Sequence, residues 1–83
     1  MLAKAFDQSE IEIMSLAHER AVEFLSYGEG SADPLLREHV ASDIVMLSRA
    51  MPEVRFVELA NAAILRYRHR QAALKFSRAR AAI

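Results

Sequence analysis

His39 and Asp43 are the residues whose types and spacing come closest to catalytic chemistry. They stand four positions apart, a spacing that places both on one face of a helix. A carboxylate in that position can orient an imidazole, as in hydrolytic sites or behind a metal ligand. The nearby hydroxyls of Ser42 and Ser48 do not occupy the strand-turn-helix context of a nucleophile elbow. We therefore predict an ordinary side-chain pair and no enzyme active site.

His18 is a second candidate, because a bundle site could combine it with His39 and Asp43. Metal sites in helical bundles use histidine and carboxylate ligands at spacings of three or four residues, and the sequence contains neither His-x-x-x-His nor Glu-x-x-His. The chain also has no cysteine and no phosphate-binding loop. His18 instead falls within an apolar helical arc, which favours a buried or interface histidine. We expect no metal and no cofactor.

The segment after residue 65 carries the strongest functional signal in the sequence. It is rich in arginine, includes a tyrosine, and has no acidic residue. Cationic side chains around an aromatic residue can contact nucleic-acid phosphates, but these are spread around the helix and no helix-turn-helix turn precedes them. We favour a segment that pairs with acidic groups within its own assembly or is simply solvated, followed by binding to an acidic protein partner, with nucleic acid as the alternative. The candidate partner-binding residues are Arg66, Tyr67, Arg68, Arg70, Lys75, Arg78 and Arg80.

The formal net charge of zero hides a division between two parts of the chain. All eleven acidic residues lie at or before Glu58, together with five basic residues, which gives that part a net charge of −6. The remaining residues carry six basic groups and no acidic group, a net charge of +6. Such an asymmetry indicates either an arm for an acidic partner or a self-complementary chain.

Helical periodicity predicts an all-α fold, a three-helix bundle that would position these residues. The predicted helices span residues 8–27, 34–51 and 52–80, and no period-two strand pattern competes with them. The third helix would be about 43 Å long, so its basic end should overhang the bundle. We expect a single helical domain over residues 1–83, with residues 66–83 as a basic helical extension.

Residues at the predicted helix ends support these boundaries. Asp7 and Glu10 have the spacing of a capping box, which predicts the start of the first helix. Gly28 is expected to end that helix in a left-handed conformation. Asp33 before Pro34 predicts a carboxylate cap with proline in the first turn of the second helix.

The apolar arcs of all three helices are wider than an isolated bundle of this size needs. A chain of 83 residues without cysteine has a small core and no disulfide to support it, so we predict a homodimer. The candidate dimer seam consists of Val54, Val57, Asn61 and Ile64. An amide at such a seam can fix register by pairing with its symmetry copy; the alternative is an Asn61 bonded to water or backbone.

The remaining features define the class of protein we expect. No secretory signal opens the sequence and no apolar run is long enough to span a membrane, so we expect a cytoplasmic protein without a membrane partner. We predict a small non-enzymatic helical protein that acts through homodimerisation and protein-protein contacts. Nucleic-acid binding through the basic third helix is the alternative.

Overall fold

Three helices pack against one another around one core in the computed structural model of this chain. The structure describes residues 6–81, with side chains for residues 6–77. Helix α1 spans Gln8–Ser26, α2 spans Leu36–Ala50 and α3 spans Phe56–Ala81, with no strand in the described part. The predicted all-α three-helix bundle is confirmed. None of the described helices is long and apolar enough to cross a membrane.

Helix α1 begins at the predicted capping box and ends without the predicted glycine cap. Asp7 Oδ1 accepts from the Glu10 N–H at 2.8 Å, and Glu10 Oε1 accepts from the Asp7 N–H at 3.0 Å. At the other end, no residue within 6–81 has a positive φ, so the expected left-handed Gly28 is wrong. Right-handed turns continue instead, with the N–H groups of Gly28 and Gly30 both donating to the Leu25 carbonyl.

Gly30 is buried where the loop between α1 and α2 crosses the core. A Cβ added there would lie 2.7 Å from Leu36 Cδ1 and 3.1 Å from the Leu25 carbonyl oxygen. These distances are shorter than van der Waals contact, so the loop approaches the helices closely only because this residue lacks a side chain.

The second and third helices each start later than predicted. Asp33 does cap the chain, but its Oδ1 accepts from the Leu35 N–H at 2.9 Å and closes a turn, so α2 begins at Leu36 and not at position 34. Residues 51–55 form the corner before α3, because Pro52 cannot donate a helical hydrogen bond and the chain needs several residues to reverse.

Helix α3 is the longest element and extends beyond the other two. Its 26 residues compare with 19 in α1 and 15 in α2. Every side chain from Ala72 to Ser77 is exposed, and we call residues 72–81 the overhang. The loop between α1 and α2 lies at the same end of the bundle, where Arg68 Nε donates to Glu29 Oε1 at 2.8 Å. The five largest fully buried side chains lie below it: Tyr67, Leu25, Ile44, Leu59 and Val40.

Candidate functional site

A cluster of three polar side chains connects α3 to α2 and to the loop between α1 and α2, at the end of the bundle from which the overhang extends. Its members are Asp33 of the loop, His39 of α2 and Tyr67 of α3. The Tyr67 hydroxyl donates to Asp33 Oδ2 at 2.6 Å, and His39 Nδ1 lies 2.9 Å from the same oxygen. Tyr67 is fully buried, so its hydroxyl needs this acceptor. The second Asp33 oxygen is occupied by the Leu35 N–H. The carboxylate thus joins three parts of the fold.

The same contacts shift the pKa values of the two partners in opposite directions. The Tyr67 hydroxyl, together with His39 and the Leu35 N–H, holds the pKa of the Asp33 carboxyl below its usual range despite partial burial. Burial raises the pKa of Tyr67 to about 12, and the hydrogen bond to Asp33 adds to this effect. Neutral tyrosine and ionised aspartate are therefore the stable pair over a wide pH range.

Asp43 forms a second polar contact between α2 and α3. Its side chain is only 3% exposed, and its Oδ1 accepts from Arg66 Nε at 3.1 Å and from Arg70 Nη2. Asp43 Oδ2 is buried without a hydrogen-bond partner in the described part of the chain. The predicted pair between His39 and Asp43 is wrong, because the imidazole turns to Asp33 and the buried Asp43 carboxylate needs cationic partners.

The structure gives His18, His39 and Asp43 separate partners, so these three residues do not share one site. His39 does have an orienting carboxylate, yet that oxygen also accepts the buried Tyr67 hydroxyl. His18 is engaged elsewhere, with its Nε2 2.9 Å from the Arg37 carbonyl oxygen. Among the residues that the structure describes, no three histidine, aspartate or glutamate side chains converge where they could hold a metal ion. The contacts of these polar side chains connect α1 with α2 and connect α3 with α2 and the preceding loop.

The candidate partner-binding residues occupy different environments. Tyr67 is in the core, and the guanidinium groups of Arg66 and Arg70 face Asp43. Arg68 pairs with Glu29 and lies 5.2 Å from the centre of the Phe24 ring. Lys75 is exposed on the overhang. The side chains of Arg78 and Arg80 lie outside the described residues, although their backbone is helical.

Exposed apolar side chains line a groove between α1 and α3, which we call the α1–α3 groove. Phe24 and Leu65 are each about half exposed, and Tyr27 is 87% exposed. Polar and charged groups stand among them. The full lining consists of Arg20, Glu23, Phe24, Tyr27, Asn61, Ile64, Leu65 and Arg68.

Two of the four predicted dimer-seam residues, Asn61 and Ile64, line this groove. Asn61 is exposed, whereas Ile64 is buried. Val54, in the corner before α3, and Val57, in the first turn of α3, are partly buried, and Val54 packs against the core. Sequence reasoning did not single out the two aromatic groove residues, Phe24 in the last turn of α1 and Tyr27 just after that helix. Their position outside the core stripe was an available signal.

Comparison with known proteins assigns no family to this chain. No protein-family model matches it, and neither curated proteins nor solved structures gave a significant match. Inferences about function therefore come from the residues and their geometry.

Proposed function

We propose that this chain is a small non-catalytic helical protein that acts by forming a homodimer and by contacting other proteins. The observation that carries the proposal is the exposure of Phe24, Tyr27 and Leu65 along one groove. Isolated exposed apolar residues are ordinary, but a contiguous group with polar neighbours is typical of a protein contact surface. Aromatic side chains and arginine are also the residues that contribute most to such contacts.

The size of the chain gives this proposal an independent physical reason. A domain of 83 residues buries only about 60–65% of the surface that its unfolded chain exposes. Large apolar side chains remain exposed on all three helices, including Ile11 on α1, Met46 on α2 and Leu65 on α3. Covering part of this surface with a second copy would increase burial without disulfides or metals.

Sedimentation equilibrium on the full chain tests the proposal. We expect a species of twice the 9.3 kDa chain mass and a weaker dimer when Tyr27→Ser and Leu65→Ser are combined. Met46→Ser is the matched control, because Met46 is also exposed and apolar but lies on α2. A monomer at every concentration up to about 1 mM, the weak end of specific association, would contradict the proposal.

Nucleic-acid binding by the basic part of α3 is the second candidate function. The overhang supports it, since Lys75 is exposed and the sequence adds two arginines to the same helix. The pairing of Arg66, Arg68 and Arg70 with carboxylates of their own chain favours the protein-contact proposal instead. Fluorescence anisotropy with random-sequence DNA and RNA at about 50 mM salt, where phosphate contacts are strongest, decides between them. Binding that weakens steeply with salt would favour the second candidate.

A further inference from the structure

We infer that the outer face of α1 packs against the same face of α1 in a second copy, with the two helices antiparallel. This inference rests on the proposed dimer and deepens it by assigning the contact residues. We call this face the α1 stripe, and it consists of Leu16, Arg20, Glu23 and Tyr27. A two-fold dimer uses the same surface on both copies, so every contact is made twice.

The first reason is that the α1 stripe has the spacing of a seam between two helices. Its members follow one another at intervals of four, three and four residues, the repeat that brings side chains of paired helices together. Leu16 is 53% exposed and Tyr27 is 87% exposed, so the bundle leaves both ends of the stripe uncovered. Arg20 and Glu23 between them are also exposed. The stripe is therefore a row of two charged residues with an apolar residue at each end, facing away from the core.

The second reason is that this row is complementary to its own reverse. Leu16 with Tyr27, and Arg20 with Glu23, are two pairs of positions that share one midpoint, between residues 21 and 22. An antiparallel dimer with its two-fold axis at that midpoint lays each leucine against the tyrosine of the other copy and each arginine against the glutamate. Among the residues that the structure describes, neither Arg20 nor Glu23 forms an ion pair within its own chain. Both charges are thus free to pair across the dimer.

The same charges decide the direction of the helices. In a parallel two-fold pair each residue lies opposite its own copy, which sets Arg20 against Arg20 and Glu23 against Glu23. Like-charge repulsion disfavours that arrangement, whereas the antiparallel one joins opposite charges. The other glutamates of the outer face do not oppose it. Glu19 pairs with Arg37 of its own chain at 3.3 Å, and Glu12 lies opposite position 31 of the second copy, in the loop that follows α1.

The third reason is that the α1–α3 groove lies beside the stripe. Three of the four stripe residues also line this groove, so a helix that covers the stripe covers the groove edge. The last turns of α1 and α3 lie together, since Arg68 is 5.2 Å from the centre of the Phe24 ring, and α2 returns between these two helices. Leu65, one turn before Arg68, is therefore level with the centre of the stripe. A second copy centred there covers this half-exposed leucine as well.

Charge reversal at the two central positions tests the pairing by sedimentation equilibrium. In the antiparallel dimer, Arg20→Glu alone or Glu23→Arg alone places like charges together twice. We expect either change to raise the dimer dissociation constant about tenfold or more at low salt. Both changes in one chain bring opposite charges together again and should restore the natural affinity. Arg55→Glu and Glu38→Arg make the same changes at exposed positions outside the stripe and are the controls.

Cysteine substitutions test the register, since the natural chain has no cysteine. We expect an equimolar mixture of Leu16→Cys and Tyr27→Cys chains to form an intermolecular disulfide under mild oxidation, because the register sets these positions opposite each other. Either variant alone should not cross-link, because each position lies about 16 Å along the helix axis from its own copy. The two variants alone are thus the controls for random collision. Both positions are exposed, so the fold should tolerate the changes.

The outcomes separate this inference from the proposal beneath it. Weaker dimers in both single charge variants, natural affinity in the combined variant and a disulfide only in the cysteine mixture support the inference. A dimer that neither charge reversal weakens or that the combined change does not restore, one that Leu16→Cys alone cross-links, or a mixture without a disulfide overturns it while leaving self-association intact. A natural chain that stays monomeric up to about 1 mM overturns both the inference and the dimer.

Discussion

Replacing Tyr67 with phenylalanine removes one buried oxygen atom and tests the main polar contact between α3 and the rest of the bundle. The hydroxyl donates to Asp33 Oδ2 at 2.6 Å, and the ring is fully buried. Phenylalanine retains the ring, so the substitution leaves no large cavity. Asp33 keeps His39 and the Leu35 N–H as partners. The measured change in stability should therefore report the hydrogen bond itself.

The expected loss at pH 7 is about 2 kcal/mol, because hydrogen bonds to charged groups contribute roughly 1.5–3 kcal/mol. A chain of 83 residues has a total unfolding free energy of about 4–12 kcal/mol, so the change is large enough to measure. With a urea m-value of about 1 kcal/mol/M for a domain of this size, the midpoint of unfolding should fall by about 2 M.

The pH dependence gives the sharper test at alkaline pH. The pKa of Tyr67 is raised from 10.0 to about 12 in the folded chain. Between these values the unfolded chain loses the proton and the folded chain keeps it, so the unfolded state binds fewer protons and stability falls as pH rises. The contribution of Tyr67 is complete below pH 10 and lost as pH passes about 12. The variant has no such proton, so its difference from the natural chain should shrink across this window.

The same difference should shrink in acid because the Tyr67 hydroxyl is the leading cause of the lowered pKa of Asp33. A lowered carboxyl pKa contributes stability that is present above the ordinary value of 3.8 and is lost as pH falls through the folded-state pKa. The stability difference between the natural chain and Tyr67→Phe should thus form a plateau near neutral pH and fall on both sides.

Urea unfolding followed by far-ultraviolet circular dichroism measures these differences, at a chain concentration low enough to keep the protein monomeric. The chain has two tyrosines, and Tyr27 is exposed, so Tyr27→Phe is the matched control and should change stability very little. A loss below about 0.5 kcal/mol for Tyr67→Phe, within the range of ordinary surface substitutions, would refute the reasoning. So would a difference that stays constant from pH 9 to 12.

Three further substitutions test other parts of the fold by the same urea measurement. Asp43→Asn should destabilise the chain by about 1–3 kcal/mol, because the amide loses the charge that both arginines face; a neutral effect would show that the ion pairs contribute nothing. Gly30→Ala should cost about 1–3 kcal/mol through overpacking, whereas Gly28→Ala, with open space around its Cβ position, should change stability by less than about 0.5 kcal/mol. Equal effects of the two would contradict the close approach at Gly30. Asp7→Ala should cost about 1 kcal/mol by removing a helix cap, and an unchanged midpoint would mean that this end of α1 is frayed.

The features that the sequence predicted correctly are those set by residues close together in the chain. The capping box depends on two residues three positions apart, and the three helices follow from apolar spacing within each segment. The start of α2 was predicted less accurately because it depends on which partners the Asp33 side chain takes. Asp33 was expected to cap a helix, but two of its hydrogen-bonding neighbours come from α2 and α3.

The polar clusters could not be predicted because their members are distant in sequence. Asp33 and Tyr67 are 34 positions apart, and Asp43 and Arg66 are 23 apart. Local spacing therefore favoured the nearer pair of His39 and Asp43, which the fold does not form. The available signal was on α3, where Arg66 and Arg70 stand four positions apart, flanking an aromatic residue that faces the core. Such an arrangement allows both guanidinium groups to reach one buried carboxylate.

The structure separates the basic part of α3 into two portions with different surroundings. Arg66, Arg68 and Arg70 lie beside carboxylates of their own chain, so their charge is largely balanced within the bundle. The overhang begins immediately afterwards, and a helix of ten residues is marginal by itself in water. Its alanines and long side chains favour helix, but only the anchored turns below it supply a nucleus. Those anchored turns therefore do more than stabilise the bundle, because they also set the direction in which the helical overhang leaves it.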